Sequence, residues 1–206
     1  MHGRLPGCAL MNRVGWGVTA IALLALGPVA AHAALPVGAK APDFSAEAAL
    51  NGNQFSFSLA EALKRGPVVV YFYPAAFTSG CTVEAHDFAA AMPDFKSAGA
   101  SVIGVSEDKI ETLDKFSVSG CQGKFPVAAD KDGSIAKNFD ARMPIVHAYA
   151  SRTSYVIAPD GTVLESYNAM NPDRHVEKTL AAVKAFRTGR KGLTGSHGQI
   201  VSRKDW

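Results

Sequence analysis

Cysteine is scarce in this chain: Cys8, Cys81 and Cys121 are the only three among 206 residues. No two stand at Cys-x-x-Cys spacing, so the vicinal pair that dithiol exchange uses is missing. A glycine-rich phosphate loop is absent as well, and Gly80 alone does not make one. His86, His147 and His175 show no close spacing that would gather metal ligands. His86 lies five positions after Cys81, which sets the two on different faces of a helix, so it reads as a surface or satisfied histidine. Charge of one sign is also lacking: 21 Lys+Arg stand against 18 Asp+Glu, a net charge of +3. That balance gives a nucleic-acid partner no footprint.

A single long apolar run is present, residues 14–31 (VGWGVTAIALLALGPVAA), preceded by Arg4 and Arg13. Ala31-His32-Ala33 then supplies the small-x-small pattern of a signal-peptidase site. Residues 1–33 therefore read as a secretory signal, with Met11 an alternative start. A retained anchor is the competing reading, but the run is short for a span and ends at the small-residue site. The expected organisation is a signal peptide over 1–33, one α/β domain over 34–187 and a flexible polar tail over 188–206. The expected place is the periplasm, with no stable membrane insertion once the leader is gone. Arg4 and Arg13 leave with the leader, so 21 basic residues become 19 against 18 acidic ones. Cys8 leaves too. Cys81 and Cys121 remain, in a compartment that permits a disulfide. A domain of this size does not need a bridge for stability, so a functional pair stands beside a structural staple.

Along the domain, residues 35–45 read as an extended opening segment. Asn51-Gly52-Asn53 is a turn signal, and the alternating Gln54–Phe57 is a hairpin strand. A short helix is expected over 59–65. The continuous apolar run 68–73 (VVVYFY) predicts a central strand covered on both faces. A long helix follows over 79–98, with Ala85, Phe88, Ala89 and Met92 as its apolar stripe and Pro93 expected to kink or split it. Then come a strand at 101–105, an amphipathic helix at 108–118, a short strand at 125–129 and a short helix ending at Phe139. Residues 153–158 and 162–167 form a hairpin around Pro159-Asp160-Gly161, and Pro172 opens a last helix to about Phe186. This order describes an α/β domain with a mixed sheet and helices on both faces.

Cys81 stands where the strand 68–73 gives way to the helix 79–98. Free backbone N–H groups in the first turn favour a thiolate there. The competing reading is a buried cysteine that packs as a small hydrophobe. Thr78, Ser79 and Gly80 favour a crevice instead, because small polar residues beside the sulfur do not build a core. Glu84, three residues on, is a candidate first-turn capping carboxylate. Too near the sulfur it would oppose the thiolate, so it must face the backbone or a basic partner.

The segment Pro74-x-x-x-Thr78-x-x-Cys81 resembles the active-site signature of the peroxiredoxin family. Phe72-Tyr73 before it and Thr82-x-Glu84 after it are similar to the bacterioferritin-comigratory, or peroxiredoxin Q, subgroup. Arg152–Gly161 (RTSYVIAPDG) resembles the family's arginine-bearing strand and turn, and Gly38-x-x-Ala41-Pro42-Asp43-Phe44 also fits. The resemblance covers roughly residues 36–187. It implies a thioredoxin-like three-layer fold, a central mixed sheet flanked by helices, with an N-terminal β-hairpin extension. It also implies a thiol-dependent peroxidase for hydrogen peroxide and small organic hydroperoxides, with no cofactor and no metal. Cys81 would attack the peroxide, Thr78 would hold it, Pro74 would shield the pocket, and Arg152 would stabilise the thiolate and orient the departing oxygen. Without the resemblance, Arg152 reads as an ordinary solvated arginine at a strand start.

After attack Cys81 becomes a sulfenic acid, which condenses with a second thiol. Members of the subgroup often keep that thiol five positions on, where this chain has His86. Cys121 is the internal candidate, forty residues beyond Cys81, with Gly120 and Gly123 about it to ease unwinding. Resolution by an external thiol on a one-cysteine enzyme is the alternative. A thioredoxin-like or other thiol reductant is the expected partner, and the chain is expected as a monomer or dimer. Two readings of other kinds remain within the superfamily. A thiol-disulfide exchange protein would need Cys at position 78, and a copper chaperone would need a second soft ligand beside Cys81.

Overall fold

The computed structural model describes residues 34–143 and 149–195, with side chains placed through residue 189. The expected signal peptide, His147 and the tail beyond residue 195 lie outside these residues. In chain order the first elements are β1 (Ser45–Leu50), β2 (Asn53–Ser58), α1 (Leu59–Leu63), β3 (Val68–Phe72), α2 (Ser79–Ser97) and β4 (Ser101–Ser106). Then follow α3 (Ile110–Ser119), β5 (Val127–Ala129), α4 (Ser134–Asn138), β6 (Thr153–Ile157), β7 (Val163–Asn168) and α5 (His175–Gly195).

All seven strands form one sheet in the order β2-β1-β5-β4-β3-β6-β7. β3, β4 and β5 run parallel, and the remaining pairs are antiparallel, so the sheet is mixed. The β1–β2 hairpin turns at Asn51 and Gly52, both at positive φ (49° and 78°) as a two-residue hairpin turn requires. Gln54–Phe57 is a hairpin strand as expected. Its partner β1 escaped the sequence reading because Ser-Ala-Glu-Ala-Ala-Leu has little β propensity. It is held as a strand by pairing with β2 and, at Ala48↔Ala128, with β5.

β3 is buried at every position, which explains its unbroken apolar run. Alternation divides its side chains between two layers. Val69, Tyr71 and Tyr73 pack with residues of α2, α3 and α5, whereas Val68, Val70 and Phe72 pack with α1 and α4. The result is the three-layer thioredoxin-like architecture expected, with the hairpin as an N-terminal addition. Tyr71 lies flat over Gly104 of β4. A Cβ at that glycine would sit 2.8 Å from the tyrosine Cζ, so only glycine admits the ring. Stacked on Tyr71, the Phe88 ring anchors α2, with centroids 4.4 Å apart.

The larger departures from expectation concern α2 and α5. Pro93 neither splits nor ends α2, which runs on to Ser97. The proline sits on the exposed side of the helix, where solvent can meet the carbonyl it leaves unpaired. The last helix begins after a short 3-10 turn at Pro172–Arg174 and passes Phe186 to reach Gly195. Val183 is buried along it, and Lys184 reaches Asp94 of α2. Part of the segment read as a flexible tail is therefore helix.

Pairing geometry decides where the site lies. β6 runs antiparallel to β3, with Phe72 opposite Thr153 and Tyr71 opposite Ser154. The start of β6 is thus brought beside the end of β3, from which the loop 74–78 leads into α2. Arg152 and Ser154, two apart, point to the face covered by α2 and α5.

Candidate active site

Cys81 is the third residue of α2. Thr78 is the N-cap, extended at φ −71° and ψ 150°, and its carbonyl accepts from Thr82 N at 2.9 Å. The N–H groups of Ser79, Gly80 and Cys81 are left without helical partners at the positive end of the helix dipole. The sulfur is not in an open crevice, as the small residues had suggested: Cys81 is only 1% exposed. Thr78 and Ser79 do face solvent, but Cys81 points inward to the cluster that holds Tyr71, Tyr73, Ala85 and Phe116.

Arg152 is likewise buried, contrary to the reading of a solvated arginine. Its Nη2 donates to Cys81 Sγ at 3.4 Å, its Nη1 donates to Glu84 Oε2, and its Nε donates to the Met170 carbonyl at 2.9 Å. Gly80 permits this approach, since a Cβ there would stand 3.1 Å from Arg152 Nη2. The rigid guanidinium fork joins sulfur, carboxyl and backbone at once, which a flexible ammonium does not. Burial lowers the proton affinity of Arg152, but Glu84 and Cys81 outweigh it, so the guanidinium stays charged.

Glu84 is not a capping carboxylate. It is fully buried, pointing from the second turn of α2 toward Arg152, the basic partner that the sequence reading required. Burial pushes its carboxyl from the ordinary 4.5 up to about 8, although Arg152 pulls the other way. Contact with a cation and loss of water thus oppose each other, and loss of water prevails. Beyond Glu84 lies His175, at the start of α5 and also fully buried. Burial lowers its ring from 6.5 to about 4.

These two groups make opposite contributions to stability. Glu84, raised on folding, stabilises fully below about 4.5 and loses that contribution as pH rises through about 8. His175, lowered on folding, contributes fully above 6.5 and loses it as pH falls through about 4. They offset each other below 6.5, and only Glu84 acts above. Urea titrations are expected to show stability declining by on the order of 2 kcal/mol between pH 6.5 and 8, with Glu84→Gln removing the slope. A wild-type profile flat over that range contradicts the assignment.

The loop before α2 is anchored at several points. Ala76 N donates to Asp108 Oδ2 at 2.7 Å, and Ser106 Oγ donates to the same oxygen at 2.8 Å, tying the loop to the end of β4. Thr78 Oγ1 is exposed and donates to the Ala75 carbonyl at 3.0 Å, so it stands at the mouth of the site. Pro74 is half-buried at the end of β3. Phe77 adopts a left-handed φ of 64°, unfavourable for a bulky residue, and its ring meets Phe116 of α3 edge-on at 5.2 Å.

Cys121 follows α3. Its N–H donates to the Phe116 carbonyl at 3.0 Å, and its own carbonyl accepts from Lys124 N at 2.9 Å. Gln122 and Gly123 are both left-handed, at φ 51° and 63°. The side chain is fully buried, and burial pushes its thiol well up. Both cysteines are free and belong to one core cluster. His86 is exposed on α2, the surface position expected for it. Asp108, His175 and the Met170 carbonyl escaped the sequence reading. The Ser106-Glu107-Asp108 run at a strand end was a usable signal for the first, whereas the other two reach the site only through tertiary packing.

A buried arginine on a helix-terminal thiol, set at the end of a central strand in a thioredoxin-like domain, is an arrangement that can stabilise a thiolate. Comparison with known proteins supplies the family. The AhpC/TSA family matches over residues 37–166. The chloroplastic peroxiredoxin Q of Sedum lineare is 33% identical over 125 residues, 60% of this chain and 67% of that protein. The crystal structure of BcpB from Mycobacterium tuberculosis superposes with a TM-score of 0.66 at 30% identity, covering 73% of this chain and 97% of that one. A structure of the Xanthomonas campestris bacterioferritin comigratory protein, described for its alkyl peroxide reduction activity, gives 0.61 at 30% identity, covering 68% and 91%. The chain belongs to the AhpC/TSA family, in its bacterioferritin-comigratory and peroxiredoxin Q subgroup.

Proposed function

We propose that Cys81 reduces hydrogen peroxide and small organic hydroperoxides in two thiol steps. The Cys81 thiolate attacks one peroxide oxygen, the O–O bond breaks, and the other oxygen leaves as an alkoxide or hydroxide that takes up a proton. Cys81 is left as a sulfenic acid. The observation that carries this reading is the 3.4 Å contact from Arg152 Nη2 to the Cys81 sulfur at a helix N-terminus. A cation and free N–H groups converge there on a site of developing negative charge, which is where electrostatic catalysis acts. Thr78 Oγ1 turns from the Ala75 carbonyl to the peroxide, and Pro74 bounds the pocket. The test is peroxide consumption by purified protein with dithiothreitol, together with trapping of the sulfenic acid. Turnover with the trapped adduct on Cys81 is expected; no turnover, or an adduct elsewhere, overturns the reading.

In the second step the Cys121 thiol condenses with the sulfenic acid, forming a disulfide and releasing water. A thioredoxin-like or other thiol donor then reduces the disulfide. The Phe77–Phe116 ring contact links the two cysteine-bearing segments, and its release frees both to move. Burial of Cys121 favours a second reading, in which an external thiol resolves Cys81 and Cys121 stays in the core. Peptide mapping after one equivalent of peroxide separates them. An intramolecular 81–121 disulfide is expected, and overoxidised Cys81 beside free Cys121 favours the external thiol. The leader pattern over residues 1–33 supports action in the periplasm; fractionation of cells carrying the full chain tests that.

A further inference from the structure

The side of Glu84 that faces away from Arg152 has no role in the steps above. Its Oε1 is fully buried and accepts no hydrogen bond among the described residues. It lies 3.5 Å from Nδ1 of His175. The ring of His175 is fixed by its surroundings. Nε2 is 2.9 Å from the Ala169 carbonyl, which can only accept, so Nε2 carries the proton. The buried ring is neutral, and its Nδ1 is therefore a lone pair, which receives the Ser154 hydroxyl at 2.8 Å. An ionised Oε1 would face the electron-rich Nδ1 edge and be repelled, whereas a neutral carboxyl meets no such repulsion.

The consequence reaches the sulfur. Arg152 is one cation between two groups that can each be an anion, Cys81 and Glu84. A dry site holds one such anion far more readily than two. Moving a proton from Cys81 to Glu84 leaves one cation and one anion in place before and after. The charged and titratable groups that face this exchange are Arg152 just before β6, His175 from α5, Asp87 and Cys81 from α2, and the buried hydroxyls of Tyr71 in β3 and of Tyr73 just after it, with the Tyr167 ring of β7 edge-on to His175 at 4.8 Å.

We propose that His175 is a positioning residue of this site: its electron-rich Nδ1 edge disfavours an ionised Glu84, and the charge of Arg152 is thereby left to the Cys81 sulfur. The role presupposes the peroxidase reading for its kinetics, but alkylation of Cys81 tests it without peroxide.

Two substitutions separate this role from simple support of the fold. His175→Asn places an amide oxygen where Nδ1 stands and gives up the bond to Ala169. His175→Gln reaches the Ala169 carbonyl and leaves no lone pair facing Glu84. Cys81 alkylation by iodoacetamide, read on its own peptide across a pH series, is measured beside peroxide consumption. His175→Gln is expected to slow both about tenfold at neutral pH and move the acid limb upward, while His175→Asn stays within about threefold of wild type. Wild-type behaviour in His175→Gln overturns the proposal, as does equal slowing in both variants. Should the alkylation pattern appear while wild type consumes no peroxide, the role of His175 stands and the peroxidase reading falls.

Discussion

Cys81→Ser is expected to bring peroxide consumption down to that of dithiothreitol alone, a loss of more than about 10⁴-fold. A serine hydroxyl is close in size to the thiol but is not an anion at neutral pH. It offers peroxide oxygen no comparable nucleophile, and no sulfur to carry the two electrons. The rest of the site remains, because Arg152 still donates to Glu84 and Met170. The buried hydroxyl can accept from Arg152 Nη2 in place of sulfur, so the stability cost is held to about 1 kcal/mol. Lost activity with a urea midpoint lowered by no more than that cost therefore isolates the chemistry of one atom. Residual turnover above the reductant background would remove Cys81 from the mechanism.

Arg152→Met is expected to lower the rate of peroxide reduction by about 10²–10³-fold, the range for removing one preorganised donor from a developing anion. Methionine fills the space of the stem and removes the charge. The Met170 carbonyl loses its partner, at a stability cost of about 1–3 kcal/mol. Glu84 does not become a stranded charge, because burial already favours its neutral acid. Arg152→Lys should fall between the two, since an ammonium restores charge without the fork that spans sulfur, carboxyl and carbonyl. Stopped-flow oxidation of reduced protein under single-turnover conditions measures the step directly. A rate within about threefold of wild type in Arg152→Met would mean that the contact with sulfur is structural.

Much of this molecule can be read without coordinates. Val68–Phe72 announces a strand buried on both faces, and Ile110, Leu113 and Phe116 announce a helix with one face inward. Thr78 and Cys81 stand close in sequence, on a strand–loop–helix turn whose signals are local. Even Arg152 and the Pro159-Asp160-Gly161 turn can be placed at a strand start and a hairpin. β1 was harder, because alanine-rich strands carry little propensity and depend on their neighbours. Pro93 misled in the opposite sense, since its effect depends on which side of the helix meets water.

What the sequence determined by itself is everything governed by neighbours along the chain. The apolar runs, the helix start beneath Cys81 and the turn residues belong there. Tertiary structure alone decided which charges share a space. Pairing of β3 with β6 brings Arg152 to the sulfur, and packing of α5 against α2 brings His175 to Glu84, groups far apart in sequence. Proton affinity follows from burial and from such distant partners, so Glu84 read as a helix cap and His175 as a bystander until the chain was folded.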